Sequence, residues 1–225
     1  MALSKEEITR KLLHLFALLM PVGIFYLPHE GFPWRVPYIV PVLILAFFVV
    51  GSVVVEMLRF RYRVVQKVFY FCFGHLLRRE ETAKVTGSTY VVGAALLCSL
   101  LFWNQRHISF MVLSLFILGD AIAAIVGLSI GRIKIGKKSL EGSLACFTLC
   151  MILFYGVFPF LPWLLDTWSG TNGKYLIVAL ASSLSITIFE LIPLRITPKL
   201  VINDNLAVPV ITGGVMLLME KFFLG

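Results

Sequence analysis

Charge is what this sequence has least of. Of its 225 residues, 14% are Asp, Glu, Lys or Arg and 59% are hydrophobic, and the mean hydropathy is +0.93. An ordinary soluble domain carries about 25% charged residues, so a soluble globular fold is excluded. Cysteine is sparse too: Cys72, Cys98, Cys146 and Cys150 all lie in apolar runs. Cys146 and Cys150 share a helical face, but no His or carboxylate stands near them in sequence, and the thiols read as buried apolar side chains rather than metal ligands. The chain has no low-complexity segment and no internal repeat, which leaves residues 1–225 as a single integral-membrane domain. No small-residue cleavage site follows the charged opening MALSKEEITRKLLH, so no cleavable signal is expected. The spacing G-x-x-x-x-G-K-[ST] is also missing, which rules out a Walker A loop.

What the chain does have is long apolar runs. A membrane span needs about 20 apolar residues, and seven segments come near that length: Leu12–Leu27, Pro37–Val55, Ser88–Trp103, Ile108–Ile130, Ser143–Leu165, Lys174–Ile192 and Leu206–Phe223. A shorter stretch, Val64–Leu77, mixes aromatic and basic residues and is expected either in the interface or as an eighth, short helix. The fold expected is an all-α polytopic membrane protein with seven or eight transmembrane helices and its active site at the cytoplasmic face. The net charge of +8 does not point to nucleic acid, because it is distributed by side. Sixteen of the 20 basic residues fall in alternate connecting segments; only Arg35, Arg106, Lys174 and Lys221 fall in the others. The positive-inside rule then puts the N-terminus, and the polar residues that share its side, in the cytoplasm.

The polar residues on that side are not a random set. In EITRKLLH, the residues Glu7, Arg10, Lys11 and His14 share one helical face. Glu56 and Arg59 stand one turn apart at the end of the second run, where a stop-transfer cluster explains the arginine but not the glutamate. Asp120 lies inside a run that starts at Ile108, and an ionisable group at that depth is costly and tends to have a task. Asp120, Ala124, Gly127 and Gly131 fall on one narrow face. Close helix packing accounts for the small residues and not for the aspartate. Next comes GRIKIGKKSLEGS, where glycines admit close approach to main-chain N–H groups. Arg132, Lys134, Lys137 and Lys138 add positive charge, and Ser139 and Glu141 precede a helix start that favours an anion. In NDNLAVP, Asp204 or Asn205 is expected as a helix cap. Asp120, Glu190 and Asp204 are oxygen donors on one side, and Mg²⁺ with a triphosphate takes one or two carboxylates plus phosphate oxygens. Together these residues fit a nucleotide–metal site.

Five segments in order, from residue 6 to 209, carry a resemblance. EITRKLLH is similar to E-x-x-R-K-x-x-H. RREETAKVTGSTY is similar to a charged segment before a G-x-x-Y-like step. GDAIAAIVGLSIG resembles D-x-x-A-x-x-x-G-x-x-x-G, KKSLEGSLACF resembles K-S-x-x-G-S, and NDNLAVP resembles D-D-N-x-x-x-P, with Asn203 where the pattern often has a first aspartate. The family that these segments resemble is that of the CTP-dependent lipid kinases, which includes dolichol kinase, phytol kinase and the CTP-using diacylglycerol kinase of fungi. The resemblance implies transfer of the γ-phosphate of CTP to the hydroxyl of a membrane lipid alcohol, with Mg²⁺ as cofactor and the bilayer as the setting.

On that chemistry, Asp120, Lys138 and Glu141 are the expected catalytic residues, with Asp120 either a base or a metal ligand. Arg10, Lys11, Arg132, Gly136, Lys137, Lys138, Ser139 and Asn205 are expected at the nucleotide. Asp120, Asp204 and Glu190 are expected at Mg²⁺, and His14, Ala124 and Gly127 along the lipid. Two other readings remain open at this point: a CTP:phosphatidate cytidylyltransferase, and a small transporter with Asp120 as its coupling carboxylate. The transporter reading wants polar residues on both sides of the midplane, whereas here they crowd at one face. The lipid alcohol and the oligomeric state are not legible in the sequence.

Overall fold

A computed structural model describes Arg10 and residues 14–74, 77, 79–136, 138–168, 172–192, 194–197 and 200–223. Every one of the seven apolar segments contains a helix. A 3₁₀ turn, Phe16–Leu18, leads into α1 (Leu19–Tyr26). Then come α2 (Ile39–Arg61), α3 (Arg63–Phe73), α4 (Gly87–Leu101), α5 (Arg106–Ser129), α6 (Leu140–Gly156), α7 (Asn172–Leu191) and α8 (Asp204–Phe223). Helices are the expected solution, because in lipid each main-chain N–H and C=O must find its partner within the segment. Five of the helical stretches, Ile39–Arg61, Arg106–Ser129, Leu140–Phe160, Lys174–Leu191 and Asp204–Phe223, are long and apolar enough to cross a membrane; Phe16–Tyr26 and Gly87–Leu101 are apolar but shorter. This is an α-helical integral membrane protein.

The stretch at Val64–Leu77 holds one short helix, α3. At 11 residues, α3 is about 16 Å long, half the hydrocarbon thickness of about 30 Å. None of its residues is buried. Val64, Val68 and Phe71 form an exposed apolar stripe, and Arg63 and Lys67 lie beside it. This is the pattern of an in-plane interfacial helix. Cys72 sits on this helix and is exposed, which corrects the expectation of a buried thiol; the other three cysteines are buried.

The centre of the bundle is α5. Every residue from His107 to Ile117 is buried, as a helix walled by others on all sides must be. Beyond that point α5 approaches α6 through small residues. A Cβ on Gly119 would lie 2.8 Å from the Cys146 Sγ, one on Gly142 would lie 2.5 Å from the Ala123 carbonyl oxygen, and one on Gly127 would lie 2.8 Å from the Ser139 Oγ. The packing stripe is thus Gly119, Ala123 and Gly127, each four residues after the last. Asp120 stands one residue, and about 100°, round from Gly119, and within about 20° of Gly127.

Two short hairpins complete the fold. In the first, β1 (Lys134–Ile135) pairs antiparallel with β2 (Lys138–Ser139). Gly136, with φ of +62°, supplies the left-handed angle that this tight turn needs. In the second, β3 (Arg195–Thr197) pairs with β4 (Leu200–Val201). Both hairpins lie at the same end of the bundle, where α5 and α7 end and α6 and α8 begin.

Candidate active site

The hairpin before α6 is anchored from three sides. The Glu141 carboxylate accepts from the main-chain N–H of Arg132 (2.8 Å) and of Ile133 (3.0 Å). The Lys134 ammonium donates to the Gly127 carbonyl at the end of α5 (3.0 Å). Ser139 caps α6, its Oγ accepting from the Gly142 N–H (3.2 Å). A rigid base results, and Lys138 projects from it.

Lys138 reaches across to α7 and α8. Its ammonium lies 2.7 Å from the Glu190 Oε1 and 3.0 Å from the Asp204 Oδ2, and it also donates to the Glu190 carbonyl. All three ammonium hydrogens therefore have acceptors. Burial works against the charge of Lys138, but the carboxylates of Glu190 and Asp204 outweigh it and hold the ammonium above its ordinary value of 10.5. Asp204 is free to face Lys138 because Asn203, not Asp204 or Asn205 as expected, caps α8. The Asn203 Oδ1 accepts from the Asn205 N–H (3.0 Å), and the Asn203 carbonyl accepts from Leu206 and Ala207.

On the other side of the site, His14 faces Asp120, with 3.8 Å between Nε2 and Oδ2. The two side chains are 18% and 21% exposed, so the carboxylate at depth has a partner from the first helical segment. The His14 ring lies edge-on to Phe116.

A third group joins α2 to the start of α4. Glu56, buried, accepts from the Thr86 N–H (2.9 Å), the Thr86 hydroxyl (2.7 Å) and the Arg59 Nε (2.5 Å). The Arg59 Nη2 donates to the carbonyls of Glu81 (3.0 Å) and Lys84 (2.6 Å), and its guanidinium lies 4.6 Å from the rings of both Phe60 and Phe69. The Glu81 carboxylate accepts from the Gly87 N–H (2.8 Å). The Gly87 carbonyl in turn accepts from the Asn205 amide (3.2 Å), which closes the chain of contacts back to α8.

These groups surround one cavity of about 790 Å³. Arg10, His14, Asp120, Lys138, Asp204 and Asn205 line its polar end, and Leu19, Ile24, Leu45, Phe48 and Val91 line walls that become apolar away from it. Glu190 stands directly behind Lys138. Of the residues singled out in the sequence, Arg132 and Gly136 lie exposed on the hairpin, while Ser139 and Gly127 are buried in the α5–α6 contact. Ala124 lies one turn beyond Asp120 and does not line the cavity. Lys11 and Lys137 lie outside the described residues. The sequence offered Arg59, one turn away, as the partner of Glu56, and that pair forms; Thr86 was passed over. The one signal for it was a glutamate placed where a stop-transfer cluster has no need of one.

No three of the described His, Cys, Asp and Glu side chains form a ready-made metal cage. A metal that enters with a triphosphate needs only one or two carboxylates, and Asp120 and Asp204, both facing the cavity, meet that requirement.

The fold and its cavity define an α-helical membrane protein with a charged site at one end of the bundle, open to a long apolar recess. The chain is similar in sequence to plant proteins named as phytol kinases. It is 34% identical over 148 residues, 63% of its length, to a probable phytol kinase of Triticum aestivum. It is 33% identical over 156 residues, 65% of its length, to a probable phytol kinase of Glycine max. These matches cover 46% and 50% of the plant proteins, so the chain spans about half the length of the curated relatives it matches. An uncharacterised protein of Rickettsia prowazekii is 27% identical over 207 residues, which is 90% of this chain and 89% of that one. No protein-family model matches the chain, and no solved structure matches it.

Proposed function

We propose that this protein is a lipid kinase that moves the γ-phosphate of CTP to the hydroxyl of a membrane lipid alcohol. The observation that carries the reading is the cavity itself, with an ammonium and two carboxylates at one end and apolar walls beyond. A lipid alcohol has that same division. Phosphoryl transfer asks for in-line placement of the two oxygens and neutralisation of phosphate charge. Lys138 and Arg10 supply positive charge where the phosphates would lie, with Asn205 beside them. Lys11 and Lys137, by their sequence positions, join that group. Glu141, Arg132, Gly136 and Ser139 serve by holding the hairpin that carries Lys138; Glu190 holds Lys138 itself.

In the transfer, the alcohol oxygen forms a bond to the γ-phosphorus. The bond from that phosphorus to the β–γ bridging oxygen breaks, and CDP leaves with the electron pair. Asp120 takes the alcohol proton, and His14 holds Asp120 in place. Asp204 and Glu190 would hold Mg²⁺, which would neutralise charge on the phosphates; a place for Asp120 as a second ligand is the alternative to its role as base. The choice of CTP follows from the family resemblance. The cytoplasmic placement of the site follows from the 16-to-4 division of basic residues.

The test is the purified full chain in detergent with γ-labelled CTP, Mg²⁺ and, in separate reactions, phytol, a polyprenol and diacylglycerol. The expected products are a labelled lipid phosphate and an equal amount of CDP. Release of pyrophosphate with a cytidylylated lipid would replace this reading with a cytidylyltransferase, and absence of any transfer from CTP would end it.

A further inference from the structure

We infer that the apolar recess is a length gauge for the lipid alcohol, and that Gly23 sets where the gauge can be blocked. The inference rests on the lipid-kinase reading for the identity of the occupant, and on geometry for the rest. Met20 and Ile24 on α1, with Leu27 just past its end, line the recess together with Pro41, Leu45 and Phe48 on α2. Each set follows a helical spacing of three or four residues, so each is one continuous stripe. From His14 at the polar end to Leu27 is 13 residues, and from Glu56 back to Pro41 is 15. At the helical rise these are roughly 20 Å and 22 Å, and the two helices agree on the depth.

That depth fixes the occupant. An extended chain advances about 1.2 Å per single bond, as a polypeptide backbone does. A recess of roughly 20 Å therefore holds one main chain of about 16 atoms, standing along the helices with its hydroxyl at Asp120. Atoms beyond that number pass out of the recess and gain nothing from it.

Among the described residues, Gly23 is the one without a side chain in the apolar lining. A Cβ there meets only the Leu27 Cδ1, at an ordinary 3.7 Å, so a larger residue fits on the helix and projects into the recess. It stands nine residues beyond His14, roughly 14 Å down. A leucine at this position would shorten the recess by about a third. It also favours the helix over glycine. Leu27→Ala does the reverse and lengthens the recess at the end away from His14.

The experiment uses the full chain in detergent and a series of straight-chain alcohols of 10, 16 and 22 carbons, with phytol alongside. Two readouts run in parallel: kcat/KM for phosphate transfer from CTP, and the shift in melting temperature that each alcohol gives without nucleotide. For the unaltered chain, both should rise from 10 to 16 carbons, by up to about fourfold per carbon, and level off before 22. Gly23→Leu should lower the 16-to-10 ratio at least tenfold while 10-carbon transfer persists. Leu27→Ala should move the plateau to longer chains. Opposite shifts in the two variants cannot come from damage to the fold. An unchanged length profile in both variants, with transfer intact, would overturn the gauge and leave the kinase standing. A length-dependent melting shift without transfer from CTP to any alcohol would sustain the gauge and remove the kinase.

Discussion

The two ends of this bundle hold similar side chains and use them differently. At the end away from the cavity, His107 meets Glu220 at 3.0 Å and its ring lies edge-on to Trp168. Arg106 lies over the Tyr38 ring, the Tyr38 hydroxyl donates to the Ser99 carbonyl, and His29 stacks on Trp163 at 4.2 Å. These polar groups are matched to partners and closed in by aromatic rings, as in a membrane interface belt. At the other end, Lys138, Asp120 and Asp204 are also matched, but their partners line an open cavity. The difference teaches that pairing alone does not separate structural ions from those proposed to take part in transfer. What separates them is whether the pair faces space that a substrate can fill.

The sharpest way to break this comparison is Asp120→Asn. It keeps the size of the side chain and removes the proton acceptor, so phosphate transfer should fall by roughly 10²–10⁴-fold with little change in melting temperature. Equal activity in the variant would place Asp120 with the structural ions of the far end.

Lys138→Ala is the next largest. It should abolish most transfer, and it should also destabilise the protein, because Glu190 is 5% exposed and would be left without its counter-charge. Removing one partner of a buried pair costs about 3–5 kcal/mol; Lys138 is itself 29% exposed, which puts the expected loss below that range. Adding Glu190→Gln should restore the melting temperature and not the activity. Recovery of both would mean that Lys138 is only a structural ion.

A smaller effect is expected at the far end. Glu220→Gln weakens one charged hydrogen bond, worth about 1–3 kcal/mol, and should lower the melting temperature while transfer stays within about twofold. A large loss of transfer would couple the two ends.

The smallest expected effect is on pH dependence. Lys138 has its folded value raised, so its contribution to stability is fully present below the ordinary 10.5. That contribution is lost only as pH rises through the still higher folded value. Between pH 7 and 10, then, Lys138 stays charged, and any fall of transfer in that window belongs to another group. Lys138→Arg, which cannot lose its charge there, should show the same alkaline limb as the unaltered chain. A limb that vanishes in the variant would assign it to Lys138 after all.

Much of this was legible in the sequence, because lipid leaves a helix few alternatives. Apolar length alone placed a helix in each of the seven segments. The side-by-side placement of Lys138, Glu190 and Asp204 was legible only as a shared side of the membrane. Their contact spans 52 and 66 residues of chain, and no local pattern encodes such a distance. The role of Glu56 was hidden for the same reason, since Thr86 stands 30 residues on. The cap on α8 was misplaced by one residue, because Asn203, Asp204 and Asn205 are all good caps and only the geometry chooses among them. The apolar recess had no sequence signal, since a stripe that lines a cavity and a stripe that packs against a neighbour are spelled alike.

The pairing of His14 with Asp120 has a consequence for how the protein is made. A lone aspartate at the middle of an inserting helix costs about 2.5–3.5 kcal/mol. The ribosome passes His14 106 residues before it reaches Asp120, and at about 5–20 residues per second that interval is several seconds. By then the first helical segment has left the ribosome. When α5 enters the bilayer, the imidazole that will face its carboxylate is already synthesised, and the order of the genetic message does part of the work of burying a charge.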